Sequence, residues 1–297
     1  MNTQNKVFDR CAVKKHRNRI AHNFSKFDFL FVESASRLYE RIDDITRPFK
    51  TGLDLGCHGG ELGKLHSKRH PNIQWVRSDL SINFAKLAAY FTNSPTLAMD
   101  EEVIAFKDEA FDIIISNLSL HWVNDLPGTL SQLRRVLKPD GVFLATLLGE
   151  ETLTELRQSF VDAEIEIENG LSPRFSPFIE IKSAGNLLVR AGFSLPVADI
   201  EKVTISYPNA LTLMNDLRGM GESNAHTLRK RTFSRRSTLI RAADIYRKKF
   251  GNADGRINAT FDIICITGWA PHENQQKPLR PGSGTINFET ALNSKQT

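Results

Sequence analysis

The chain has 297 residues, 40% of them hydrophobic, with 39 Lys and Arg against 34 Asp and Glu. That content buries a core for one α/β domain of about 200 residues plus an appended element, and no repeat, low-complexity block or apolar run near the ~18 residues of a membrane helix interrupts it. Cys11, Cys57 and Cys265 are widely spaced without a CxxC pair, which argues for a reducing compartment and against a structural zinc site.

Residues 1–47 read as a basic helical segment. Residues 1–50 hold 11 Lys or Arg against 6 Asp or Glu, but with Asp9 present and no apolar h-region the start does not read as a secretion signal. A core over 48–150 opens with Thr51-Gly-Leu-Asp-Leu-Gly-Cys-His-Gly-Gly-Glu61, an apolar strand that ends in an acid and runs into glycines opening a helix, Glu61 to Arg69. Glycine lacks a Cβ, so such a turn lets backbone approach a ligand closely. A second strand, Ile73 to Ser78, ends on Asp79, roughly 25 residues past Asp54, where a βαβ unit places an acid over a ribose. After a helix from Phe84 to Phe91, a third strand from Thr96 reaches Asp100 and Glu101. The fourth, Phe111 to Ser116, is apolar at its centre, as a strand buried on both faces should be. It delivers Asn117, Leu118, His121 and Trp122 to the same sheet edge, and His121 is a candidate general base. A helix from Leu126 to Val136 follows; Pro139 is expected to stop it and Asp140-Gly141 to turn the chain into strand five, Val142 to Leu147.

The part over 151–270 begins with a helix, Glu151 to Glu168, presenting Leu153, Leu156, Phe160 and Ala163, and continues with a Ser/Pro-rich loop from Gly170 to Phe178. A helix from Ile181 to Ala191 ends at Gly192. Strands six (Val197 to Ser206) and seven (Thr260 to Gly268) enclose an insertion of about 207–258. Within it, the two glycines of Asp216-Leu-Arg-Gly-Met-Gly-Glu-Ser-Asn224 are expected to break a helical run. Arg235 to Phe250 reads as an amphipathic helix with Leu239, Ile240, Ala243 and Ile245 inside. Arg229 to Lys249 holds 9 basic residues against Asp244 alone, which suits either a solvated face or docking of an acidic protein or carrier. No aromatic-interleaved basic groove marks a nucleic-acid partner. None of the eight histidines forms a His-x-Asp or His-x-Glu pair, and His66 and His70 are expected as a surface pair, so no metal site is assigned. A tail over 271–297 closes the chain.

The glycine loop and the three acids after three successive strands resemble motif I and its neighbours in class I S-adenosylmethionine (SAM) methyltransferases. The resemblance implies a Rossmann-like α/β fold, a seven-stranded mostly parallel sheet with helices on both faces and a helical insertion between strands six and seven. It implies SAM as cofactor: Asp54 orienting the methionine amino group, the loop of Gly56, Cys57, His58 and Gly60 carrying the amino-acid portion, Asp79 with Leu80 at the ribose, and Asp100 and Glu101 at the adenine. Asn117 and Leu118 would floor the pocket. The family usually has glycine where this chain has His58.

Segments further along narrow the resemblance: Ser119-Leu-His-Trp-Val-Asn-Asp-Leu-Pro127, Thr152-Leu-Thr-Glu-Leu-Arg157, Ser172-Pro-Arg-Phe-Ser-Pro-Phe178, Asp216 to Asn224 and Gly268-Trp-Ala-Pro-His-Glu273. Together with Phe8-Asp-Arg10, they resemble the complex I assembly-factor branch of methyltransferase-like proteins, over nearly the whole chain. Methyl transfer from SAM to an oxygen or nitrogen acceptor on a protein or carrier is the expected chemistry. Trp122, Arg218 and Glu222 are expected on the substrate side. The branch adds the alternatives of arginine hydroxylation or non-catalytic assembly of complex I, with a complex I subunit as partner, and of methylating a malonyl-carrier protein in biotin synthesis. With Phe8-Asp-Arg10 so near its start, the chain is expected to be a cytoplasmic bacterial member.

Overall fold

The computed structural model describes residues 6–276, 282–284 and 287, so most of the expected tail lies outside the described residues. Seven strands form one sheet: β1 (Thr51–Leu55), β2 (Gln74–Asp79), β3 (Thr96–Ala98), β4 (Phe111–Asn117), β5 (Leu137–Leu148), β6 (Ser194–Tyr207) and β7 (Ile257–Trp269). Their order is β3-β2-β1-β4-β5-β7-β6, with β7 antiparallel to both neighbours and the other pairs parallel. The order reverses between β1 and β4, and ligands of such sheets sit at the strand ends beside that switch point.

The central strands are apolar on both faces because helices cover both. On one side Leu130, Leu133 and Val136 of α5 (Leu126–Val136), with Leu188 of α7 (Ile181–Arg190), pack on Ile114, Phe143 and Ile266. On the other, Ala35, Leu38 and Tyr39 of α2 (Phe29–Asp43), with Leu62 of α3 (Glu61–Arg69), meet Ile113, Ile115 and Leu144. A further cluster joins Phe84 of α4 (Ile82–Thr92), α6 (Thr154–Glu168), α8 (Ala210–Met220) and α9 (Arg236–Phe250) to Ala259, Phe261 and Ile263 of β7. Ahead of the sheet, α1 (Arg10–Ile20) leads through a 3-10 turn over Ala21–Lys26 into α2.

Several local expectations give way. The segment from Leu137 to Gly141 already belongs to β5: Leu137 pairs with Phe111, the register shifts before Val142, and Asp140 takes a φ of 60°. Pro139 lacks only an N–H, and a strand position beside a register shift tolerates that. In α8 only one glycine breaks the helix. Gly221, at φ 88°, ends it, whereas Gly219 stays helical and serves close packing instead: a Cβ there would lie 2.4 Å from the Phe27 ring. On α9 one expected core residue faces outward: Ile240 is exposed, whereas Ile245 is buried, Leu239 and Ala243 pack partly buried on the core, and Thr238, Ala242 and Tyr246 join them. Polar anchors hold the helix there, Thr238 Oγ1 donating to Glu168 (2.8 Å) and the Tyr246 hydroxyl to the Asn258 carbonyl (2.7 Å). Nor is His66 on the surface. It is buried, its ring stacked 3.6 Å from that of Trp75.

Candidate active site

Three of the turns after the parallel strands converge. At the end of β1 the chain turns through Gly56 (φ 72°) and Gly60 (φ 81°), the left-handed region that favours glycine. A Cβ on Gly56 would lie 2.1 Å from Ser119 Oγ, so the close approach of the two loops requires glycine there. The Gly56 and Cys57 N–H groups both donate to the Ser78 carbonyl (2.8 and 2.9 Å), tying the turn to β2.

His58 also has a positive φ, 44°. Its N–H donates to Asp79 Oδ2 at 3.1 Å, and its buried ring lies among Phe24, Phe31 and Phe84, with centroid separations of 6.0, 4.7 and 5.5 Å. Burial, reinforced by the charge of Arg17, holds the imidazole well below its ordinary pKa and therefore neutral. The departure from glycine is thus filled by an aromatic nest.

Asp79 is fully buried at the end of β2, and its Oδ1 accepts from the Ser81 N–H at 2.7 Å. Ser81 in turn caps α4, accepting from the Phe84 N–H at 3.1 Å. Glu101 is equally buried. Its Oε1 accepts from Ser119 Oγ and from Arg17 Nη1, both at 2.8 Å, and its Oε2 from Arg10. Burial alone would favour a neutral Glu101, but Arg17 and Arg10 outweigh it and hold its pKa down at about 2. Asp79 goes the other way: burial raises its pKa, Arg17 at 3.5 Å only partly offsetting this and the Glu101 charge adding to it. Asp100, partly exposed, pairs with Arg10 Nη2 at 2.6 Å.

Asp54 has neither exposure nor a hydrogen-bond partner on Oδ1 or Oδ2; the nearest cation is Arg77 Nε at 3.6 Å. Burial carries its pKa up to about 7, with Arg77 opposing and Asp79 assisting. At the start of α3, burial takes Glu61 up to about 8. An acceptor pair left unbonded at the ligand-facing end of a central strand is costly in a finished core and expected where a cation is to be held. SAM brings a primary ammonium and a ribose diol. The bare oxygens of Asp54, the left-handed glycine turn and buried Asp79 fit those groups, provided that Arg17 withdraws from Asp79 and Glu101.

The other assigned residues divide. Cys57 and Leu80 are buried beside the turn, and Leu118 adopts a φ of 46° under it. The side chain of Asn117 is engaged elsewhere, donating to the Phe31 carbonyl (2.9 Å) and accepting from Thr146 Oγ1 (2.9 Å), so it pins α2 and leaves a cofactor only its backbone. On the acceptor side, Glu222 Oε2 lies 3.2 Å from His121 Nε2 and Oε1 accepts from Trp122 Nε1 at 3.2 Å. The turn at Gly221 aims it there, with the Glu222 N–H donating to the Leu217 carbonyl at 2.9 Å. A cavity of about 80 Å³ adjoins it, walled by Leu30, Trp122, Phe178, Met220 and Phe261. Arg218 is exposed on α8 and lines no part of that cavity, which corrects its expected place. Its neighbours along the helix turn to the core and carry it outward.

Arg10, Arg17 and Ser119 escaped the sequence reading as site residues. A signal existed: Arg10 and Arg17 are seven apart, hence on one helix face, and Arg17 falls among Ala12, Val13 and Ile20, which are buried.

Sheet order, switch point and acid-lined glycine turn define a class I methyltransferase fold. Residues 53–145 match the family described as methyltransferase domain. The chain is 42% identical over 286 residues to arginine-hydroxylase NDUFAF5, mitochondrial, of Homo sapiens, covering 95% of this chain and 82% of that protein. It is 31% identical over 272 residues to the malonyl-[acyl-carrier protein] O-methyltransferase of Xylella fastidiosa (strain M23), covering 90% of each. In structure it resembles the YcgJ protein of Bacillus subtilis, with a TM-score of 0.56 at 17% identity over 80% of this chain and 98% of that one. The chain belongs to the class I SAM-dependent methyltransferase family, in the branch of arginine-hydroxylase NDUFAF5.

Proposed function

We propose that the protein binds SAM at the turn formed by Asp54, Gly56, His58, Gly60, Asp79 and Glu101 and methylates an oxygen or nitrogen acceptor carried by a protein or protein-bound arm. The observation that carries this is Asp54, a buried carboxylate with both oxygens free of hydrogen bonds where the β1 turn opens. Bound SAM would supply an electrophilic methyl on sulfonium, displaced in line by the acceptor. The chain's own part is alignment and a dry pocket. With Glu222 Oε2 as the acceptor, His121 donates its Nε2–H to it, which leaves Nδ1 as the lone-pair nitrogen. Nδ1 is buried and has no hydrogen-bond partner, so it can receive the acceptor's proton as the methyl arrives.

A second reading, hydroxylation of a protein arginine, is favoured by the 42% identity to the human arginine-hydroxylase. The Glu222 carboxylate beside aromatic walls also suits a guanidinium. Incubation of the purified protein with SAM and cell extract, followed by mass spectrometry of the acceptor, separates them. A gain of about 14 mass units is one methyl replacing hydrogen and supports transfer. A gain of about 16 is one oxygen atom and overturns it.

A further inference from the structure

Outside the cavity, a cleft of about 570 Å³ lies between the 172–174 loop and the 229–235 segment. Arg174, Arg229, Lys230, Arg231 and Arg235 line it, together with the hydroxyls of Thr232 and Ser234. The one acid among its lining residues, Glu168, is already engaged, accepting from Thr238 at 2.8 Å and from Lys230, with Arg174 at 3.6 Å. Arg229 is paired with Asp9 at 2.9 Å and Arg174 with Glu164 at 2.7 Å. Arg231 and Arg235 are exposed and have no ion-pair partner among the described residues, so the cleft carries an uncompensated positive charge. Beside them Phe233 is fully exposed, an aromatic group of the kind enriched at interfaces.

Arg174 and Asn224 line both this cleft and the small cavity holding Glu222, so the two adjoin across a shared wall. The two ends have opposite sign: cationic outside, a carboxylate inside. A polyphosphate chain suits the outer end and is repelled by the inner one. A polypeptide can change sign along its length. We propose that the cleft is the docking site for a carboxylate-rich segment of the substrate protein, which seats acidic residues against Arg231 and Arg235 and an apolar one on Phe233, and so presents a neutral or cationic acceptor side chain to Glu222. The assignment rests on the acceptor cavity described under the proposed function.

Fluorescence anisotropy of a fluorescein-labelled Glu/Leu dodecapeptide tests it on the full chain, with calorimetric SAM binding measured in parallel. The peptide should bind, weaken as salt rises, and lose about tenfold or more in affinity in Arg231→Glu/Arg235→Glu, with Phe233→Ala also weakened. Absent binding, undiminished binding in the charge-reversed variant with native circular dichroism, or tighter binding of a labelled dT12 oligonucleotide than of the peptide would each overturn the proposal. Because SAM affinity is read separately, loss of SAM binding with intact peptide binding sinks the cofactor assignment alone, and the reverse result sinks the docking site alone.

Discussion

Arg17 Nη1 lies 2.8 Å from Glu101 Oε1, with both side chains almost wholly buried. Two ions removed from water are held there by each other, by Ser119 and by Arg10. Breaking a buried pair from one side leaves an uncompensated charge. Arg17→Met should therefore lower the unfolding free energy by about 3 kcal/mol, moderated by Arg10. Urea titration checks this, and unchanged stability would mean that the pair is solvated in solution.

Stability should also depend on pH in two opposite ways. Glu101, depressed to about 2, contributes stability that is complete above the ordinary carboxylate range and is lost as pH falls toward 2. Asp54 and Glu61, raised to about 7 and 8, bind protons in the folded chain that the unfolded chain has released. For them stability falls as pH rises from about 4 through 7 and 8, by at most about 1.4 kcal/mol per unit and site. Urea midpoints between pH 5 and 8.5 should show that decline, and Asp54→Asn should flatten it. An ammonium beside Asp54 favours its ionised form, so SAM binding near neutrality should release protons. Calorimetry in buffers of differing ionisation enthalpy reads that release.

Asp79→Ala should weaken SAM binding about 10- to 100-fold, the ~1.5–3 kcal/mol of hydrogen bonds to a charged group. Because Asp79 also accepts the His58 and Ser81 N–H groups, the substitution unlatches the turn as well. Asp79→Asn keeps one carbonyl acceptor and should fall between the two. Equal affinity in all three proteins would remove Asp79 from the site.

For His58→Gly, two effects compete. Glycine relieves the left-handed backbone at φ 44°, worth about 1 kcal/mol, but empties a space among Phe24, Phe31 and Phe84, which costs about 2–4 kcal/mol. A lower melting temperature with SAM affinity held within about threefold is the expected outcome. If affinity collapses in a folded variant, the imidazole itself belongs to the ligand site.

Glu222→Gln should reduce turnover about 100-fold at unchanged SAM affinity, since it removes the carboxylate that fixes the His121 tautomer. Arg218→Ala, at an exposed position away from the cavity, should change neither. Steady-state kinetics on an identified acceptor decide it. The opposite pattern would return the acceptor role to Arg218.

The sheet and its turn were readable because their signals are local: an apolar run, an acid, then glycines, repeated with helical spacers. Asp54, Asp79 and Glu101 come together as their strand positions dictate. What escaped depends on distant partners. Arg17 meets Glu101 across 84 residues, and nothing near either residue announces the other. His66 carries the polarity of a surface residue, and the rings of Trp75 and Tyr39 against it explain its burial. Thr238 and Tyr246 join the inner face of α9 by reaching Glu168 and Asn258, bonds that a hydrophobic periodicity cannot register. Arg218 and Glu222 share one short segment, yet a single left-handed turn at Gly221 sends them apart.

The last strand among the described residues, β7, lies between β5 and β6. While the ribosome is still producing residues 208–256, β6 has no strand to pair with, and β5 shows an open apolar edge from Val142 to Leu148. An unpaired edge of that kind templates association between nascent chains. Synthesis therefore passes through a vulnerable interval whose length is set by the insertion itself. Slowing translation there should raise the yield of aggregate, and a holdase chaperone that covers β5 should lower it.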